Sequence, residues 1–142
     1  SIGQTKGMAI NFAQCCYPIP GDEVTGVLTT IRGLVLHRSN CSQLGHIKEK
    51  NAQWMEVDWK SDENEQFEVG ISCIVENRSG RLAAIANTLA SLGVNIENIE
   101  QQRKPDSTRL FHMVVEVSNI IELNNVLDKL NNLPHLISAG RL

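Results

Sequence analysis

The chain has 142 residues, of which 42% are hydrophobic and 20% charged, with a formal net charge of −3. That balance fits a folded globular protein, excludes a disordered tail, and leaves no apolar run near the roughly 18 residues of a membrane span. Residues 1–60 carry six Lys/Arg against five Asp/Glu and residues 61–142 seven against eleven, so neither half has the basic excess that by itself marks a nucleic-acid binder.

The length suits one ordinary domain or two small ones. The start, "SIGQTKGMAI", has neither an initiator Met nor a signal-peptide pattern, so the chain is expected to be a piece of a longer protein. Three of the four cysteines, Cys15, Cys16 and Cys41, lie close together, and Cys73 stands alone. A secreted disulfide scaffold would be smaller and richer in cysteine. A bridge between neighbouring cysteines strains the peptide between them. Reduced thiols and a cytoplasmic setting are the expectation.

"CCYPIPGDEV" opens with two adjacent cysteines and runs into a proline-rich turn. "VTGVLTT" and "GLVLHR" then read as two short strands around a bend at Ile31, Arg32 and Gly33. "NCSQLGHIKEK" reads as a helix capped by Ser39 or Asn40, and "WMEVDW" as a final strand whose Trp54 and Trp59 pack a small core. About 60 residues supply little core, and a metal is one common supplement. "KSDENEQ" follows, polar and acidic, and reads as an exposed linker. The expected division is a cysteine-rich module at 1–60, a linker at 61–66 and a second domain at 67–142.

That second domain is regular. Phe67, Val69, Ile71, Cys73 and Val75 alternate as in a strand with one buried face. Leu82, Ile85, Ala86, Leu89 and Leu92 recur at helical spacing and stop at Gly93. "VNIENIEQQ" is a second strand, "KPDST" a turn, and residues 109–117 a third strand with Phe111, Met113, Val115 and Val117 on one face. Leu123, Val126, Leu127 and Leu130 mark a second helix ending before Pro134, and "HLISAGRL" closes the sheet. The order β-α-β-β-α-β predicts an α+β chain whose second part is ferredoxin-like, with both helices on one face of four antiparallel strands.

Cys15, Cys16, His37 and Cys41 form a Cys₃His set, one of the standard tetrahedral zinc combinations. His37 and Cys41 are spaced as one helical turn, and the "PIPGD" turn can bring the two pairs together. Buried thiols beside an unrelated histidine satisfy the same spacing, because free cysteine is among the most buried residue types. A catalytic thiol would need an activating partner and an oxyanion site, for which the stretch offers no recognisable elbow. The chain as a whole carries no phosphate-cradling loop and no paired acidic metal site.

"FAQCCYPIPGDEVTGVLTTIRGLVLHRSNC" resembles the cysteine-rich module near the C-terminus of long RelA/SpoT enzymes, with its CC-x-P-x-PGD turn, Gly-rich hairpin and H-x₃-C end. Residues 67–142 are similar to the ACT domain, also called RRM-like, that closes those proteins, through "ENRSGRLAAIANTLASLGVNIENI". The resemblance implies a bacterial, cytoplasmic regulatory segment of the stringent response. It would itself be non-catalytic, and would belong to a parent that acts as GTP pyrophosphokinase or ppGpp pyrophosphohydrolase in guanosine tetraphosphate metabolism. It implies structural zinc at Cys15, Cys16, His37 and Cys41. It implies as partners the upstream catalytic domains and either the ribosome with its RNA or a regulatory protein. Lys6, Arg32, Arg38, Lys48 and Lys50 are the candidate RNA contacts, and each equally suits an ordinary solvated face. Where such domains bind an amino acid between paired subunits, Asn77, Arg78, Ser79, Gly80 and Asn95 would contribute. Each of these also serves as ordinary turn chemistry. The sheet face bearing Leu110, His112, Val114 and Glu116 offers a surface for a homodimer. His46 and His135 have no metal-like neighbours. Ile31 stands where the family has a second glycine, and isoleucine does not easily take positive φ, so the bend is expected to be wider or of another type.

Overall fold

The computed structural model describes residues 9–48, 51–60, 62 and 64–142. The chain divides into two compact units, Ser1–Glu65 and Gln66–Leu142.

In the first unit, strands β1 (Ile10–Phe12), β2 (Val24–Thr29), β3 (Gly33–Arg38) and β4 (Gln53–Val57) form a sheet in the order β1-β3-β2-β4. β1, too short for periodicity to betray it, pairs parallel to β3, and the other pairings are antiparallel. Leu34 and Leu36 are fully buried, with Ile10, Leu28, Met55, Val57 and Trp59 packed against them. Gly26 makes room for this cluster, since a Cβ there would lie 2.9 Å from Leu34 Cδ1.

The hairpin bend asks for no positive φ at Ile31. Thr29 pairs with Gly33, so the loop is three residues long, and Gly33 carries the left-handed φ of +68°. Of the bend, only Gly33, which follows the loop and begins β3, takes positive φ. Ile31 sits at the tip, 83% exposed, and its conformation is ordinary. Gly33 admits no other residue easily, because a Cβ would also come within 2.9 Å of the Ala9 carbonyl oxygen.

Two further readings of this unit are corrected. The expected helix is a 3-10 helix of five residues, Ser42–His46, preceded by Cys41 and without a side-chain cap. Ser39 instead shares a 2.9 Å hydrogen bond with Thr25. Only Leu44 and Ile47 are apolar there, and Gly45 weakens a helix, so no buried stripe sustains further turns. Of the tryptophans, Trp59 packs the core, stacking on Phe12 at 5.9 Å with its Nε1–H donating to the Asp22 carbonyl at 3.0 Å. Trp54 lies on β4, 52% exposed.

The second unit follows the predicted order: β5 (Phe67–Glu76), α1 (Arg81–Ser91), β6 (Ile96–Arg103), β7 (Thr108–Val117), α2 (Ile120–Asn131) and β8 (Leu136–Arg141). Its antiparallel sheet runs β6-β7-β5-β8. The alternating set from Phe67 to Val75 and the set from Phe111 to Val117 are buried together with Ile85 and Leu89 of α1 and Leu123, Val126 and Leu130 of α2. α1 ends as its glycine requires: Gly93 has φ +72°, its N–H donates to the Ala90 carbonyl, and that of Val94 donates to the Leu89 carbonyl. α2 begins on Asn119, whose side chain accepts from the Glu122 N–H at 2.9 Å, while the Glu122 carboxylate accepts from the Ser118 N–H.

Candidate metal centre

Two turns deliver the cluster to the end of β3. After β1 the chain curls back, the Tyr17 N–H donating to the Ala13 carbonyl at 2.9 Å, with Tyr17 at φ +46°. This curl presents Cys15 and Cys16 in different directions, the first exposed and the second buried. The turn that follows is type II: the Asp22 N–H donates to the Ile19 carbonyl, Pro20 presets φ, and Gly21 takes φ +104°. On the other side His37 is the penultimate residue of β3, and a turn closed by the Cys41 N–H on the Arg38 carbonyl at 2.9 Å brings Cys41 back. His37 and Cys41 therefore converge through a strand and a turn, not through the helical turn that their spacing suggested.

Cys15 Sγ lies 3.4 Å from His37 Nδ1 and 3.5 Å from Cys41 Sγ. The Arg38 N–H donates to Cys16 Sγ at 3.3 Å, and the four candidate ligand atoms all lie within 4.8 Å of one another. A tetrahedron with metal–sulfur bonds of about 2.3 Å has edges of about 3.8 Å, so the set fits a zinc-sized cation.

The thiols of the cluster ionise unequally. Burial pushes the Cys16 thiol up; the Arg38 N–H pulls it back and the neighbouring thiols push it further, to about 12. Cys15 is also raised, by burial and by the Cys41 thiol. At Cys41 burial acts upward, but hydrogen bonds from the Gln43 and Leu44 N–H groups and from the other two thiols outweigh it, and the thiol sits below its usual range. Three adjacent thiols cannot all ionise unaided, whereas a dication would hold all three as thiolates.

Burial lowers the pKa of His37. The unfolded chain then binds a proton more readily than the folded one. The first unit is expected to lose stability as pH falls through about 6.5, the unfolded histidine value, down to the lowered folded value, and to lose no more below it on this account. Denaturant midpoints at pH 7.5 and 5.5, read by tryptophan emission, check this, and equal midpoints at the two values would contradict it.

A cavity of about 300 Å³ adjoins the cluster, reaching Cys15 and His37 and bounded by Val27, Val35, Arg32 and His46. His46, which sequence spacing left without a role, joins the site only through the 3-10 segment. Of the candidate RNA contacts, Lys6 and Lys50 lie outside the described residues. Arg32 is in the hairpin bend and Lys48 follows Ile47, which lines the same cavity, while Arg38 is at the opposite end of β3.

The candidate amino-acid contacts do not meet within one copy. Asn77 bonds the Ser107 carbonyl at the end of the sheet where Glu76 pairs with Thr108, whereas the Asn95 carbonyl accepts from Glu116, which pairs with Glu68. About eight strand residues, or roughly 27 Å, separate the two ends. Near the first end, Arg78 ion-pairs with Glu76 at 3.3 Å. Gly80 caps α1 at φ +84° without a side-chain bond. At the other end the Asn95 amide donates at 2.7 Å to both Glu97 and Glu116. The Glu116 carboxyl, through its hydrogen bond and charge, raises that of Glu97. That acidic end suits an ammonium group and repels a carboxylate. On the sheet face proposed for self-association, Leu110, His112, Val114 and Glu116 are half-buried and in register with Ile74, Ser72, Gly70 and Glu68.

Among the described residues no helix is long and apolar enough to cross a membrane. The second unit, with its βαββαβ sheet, matches the ACT domain family over residues 63–141, so the chain carries an ACT domain. Residues 1–60 match the RelA/SpoT RIS domain. The chain belongs to the RelA/SpoT family, as a RIS domain followed by an ACT domain homologous to the C-terminal region of those proteins. Among its relatives are a guanosine-3′,5′-bis(diphosphate) 3′-pyrophosphohydrolase of Vibrio cholerae, 26% identical over 99% of this chain and 20% of that one. A GTP pyrophosphokinase of Escherichia coli is 33% identical over 93% of this chain and 18% of that one. The bifunctional (p)ppGpp synthase/hydrolase SpoT of Escherichia coli is 25% identical over 99% and 20%. The chain thus spans about a fifth of the length of these relatives.

Proposed function

We propose that this chain is the cytoplasmic regulatory region of an alarmone enzyme, receiving a signal from the ribosome or a protein partner and passing it to catalytic domains upstream. The observation that carries this reading is the order of its parts, a RIS domain and then an ACT domain, shared with relatives named for synthesis and hydrolysis of guanosine polyphosphates. Its working limits are 1–60 for the cysteine module, 61–66 for a linker and 67–142 for the ACT domain. Zinc held by Cys15, Cys16, His37 and Cys41 supplies a structural cross-link there and no catalysis. The donor set and the spacing of the ligand atoms support that assignment.

Arg32, Arg38 and Lys48 are the described members of a surface for ribosomal RNA. Three phosphate contacts predict that affinity for 70S ribosomes falls about 20–40-fold between 50 and 200 mM salt. Cosedimentation across that range tests it. Binding that ignores salt would defeat RNA contact and leave a protein partner, and absence of binding would defeat the ribosome reading.

A further inference from the structure

We propose that Cys15 and Cys41 form an oxidation site at which a peroxide joins the two sulfurs in a disulfide and frees the metal held by the cluster; the second half rests on the zinc reading above. The four cysteines differ sharply in access. Cys73 is fully buried in the second unit, and Cys16 is buried with its sulfur accepting the Arg38 N–H. Cys15 is exposed and Cys41 is partly so, their sulfurs 3.5 Å apart. A disulfide of about 2.05 Å asks those atoms to approach by about 1.5 Å. The alternative partner for Cys15, its neighbour Cys16, would strain the peptide between them.

Access is supplied by the cavity, which reaches Cys15 beside Arg32 and His46 and is ample for a peroxide. Adaptability is supplied by the segment that carries Cys41. It leads into a 3-10 helix of five residues with no buried side chain to anchor it.

The chemistry balances with peroxide as the sole oxidant. The Cys15 thiolate attacks one peroxide oxygen; the O–O bond breaks, leaving a sulfenic acid and hydroxide. The Cys41 thiolate attacks Cys15 Sγ, the S–S bond forms and a second hydroxide departs. Two solvent protons turn both hydroxides into water, so the thiolates lose two electrons and the peroxide gains them. Cys16 and His37 alone would be too few to complete a tetrahedral site, so a metal held by the set would be released.

The test uses the whole chain loaded with zinc and treated with a modest excess of hydrogen peroxide. Zinc release is followed with a chromophoric chelator, and disulfides are mapped by mass spectrometry after alkylation in acid. The expected result is release of about one zinc per chain, against less than about a tenth of that without peroxide, with a Cys15–Cys41 cross-linked peptide. Cys73→Ala should change neither, and dithiothreitol with added zinc should restore the starting state. Retained zinc with free thiols, zinc loss with sulfinic acids only, or a cross-link through Cys16 would each overturn the proposal. A chain that never takes up zinc would defeat the metal reading alone. In that protein the cross-linked peptide upholds the oxidation site and its absence overturns it, with no variant needed.

Discussion

Replacing Cys41 by alanine is expected to empty the metal site and cost the first unit its cooperative fold, while residues 66–142 keep theirs. The reason is the small size of what remains. The core of the first unit is built on Leu34 and Leu36, with partly buried neighbours around them. Structural zinc contributes on the order of 10 kcal/mol in small metal-dependent domains, more than such a core leaves in reserve. Cys41 is also the ligand whose turn brings the segment after β3 back toward Cys15. Elemental analysis should show zinc falling from about one per chain to near zero. Both tryptophans and the single tyrosine lie in the first unit, so intrinsic fluorescence reports on it alone. Trp59 emission is expected to shift to longer wavelength as its stacking on Phe12 is lost. Metal-free wild-type protein with an unchanged spectrum and unchanged amide exchange would contradict the structural role of zinc.

In the second unit the largest expected effect comes from Leu89→Ala. Leu89 has no exposed surface, and it sits among the residues that α1 buries with Ile85. Large-to-small changes at such sites cost about 2–5 kcal/mol, because the cavity is only partly refilled. For a unit of this size that corresponds to a fall in melting temperature of roughly 10–30 °C. Leu82→Ala on the same helix is the comparison: Leu82 is 39% exposed, and its loss is expected to cost under about 0.5 kcal/mol. Because this unit has no tryptophan or tyrosine, circular dichroism or amide exchange over residues 66–142 is the proper readout. Equal effects from the two substitutions would show that burial on α1 is misjudged.

The contrast between the units explains what the sequence made legible. The second unit has strands and helices long enough for period 2 and period 3.6 to stand out, and its stop signals at Gly93 and Pro134 fall where the helices end. The first unit is governed by contacts that periodicity does not register. β1 is three residues long and is recruited by pairing with β3. The H-x₃-C spacing singled out residues that meet, but through a turn at Arg38 instead of a helix. The bend at Ile31 looked irregular because the glycine that matters, Gly33, closes the loop and does not stand at its tip. His46 enters the cavity wall only because residues 42–46 wind as a 3-10 helix, which its neighbours in sequence did not announce.

The separation of Asn95 from residues 77–80 has a consequence in mass action. A small molecule that engaged both ends of the sheet would have to be shared between two chains, since a single copy holds them roughly 27 Å apart. Its uptake would then be coupled to dimerisation, and half-saturation would move to lower ligand concentration as protein concentration rises. A molecule held by one end alone would titrate identically at every dilution.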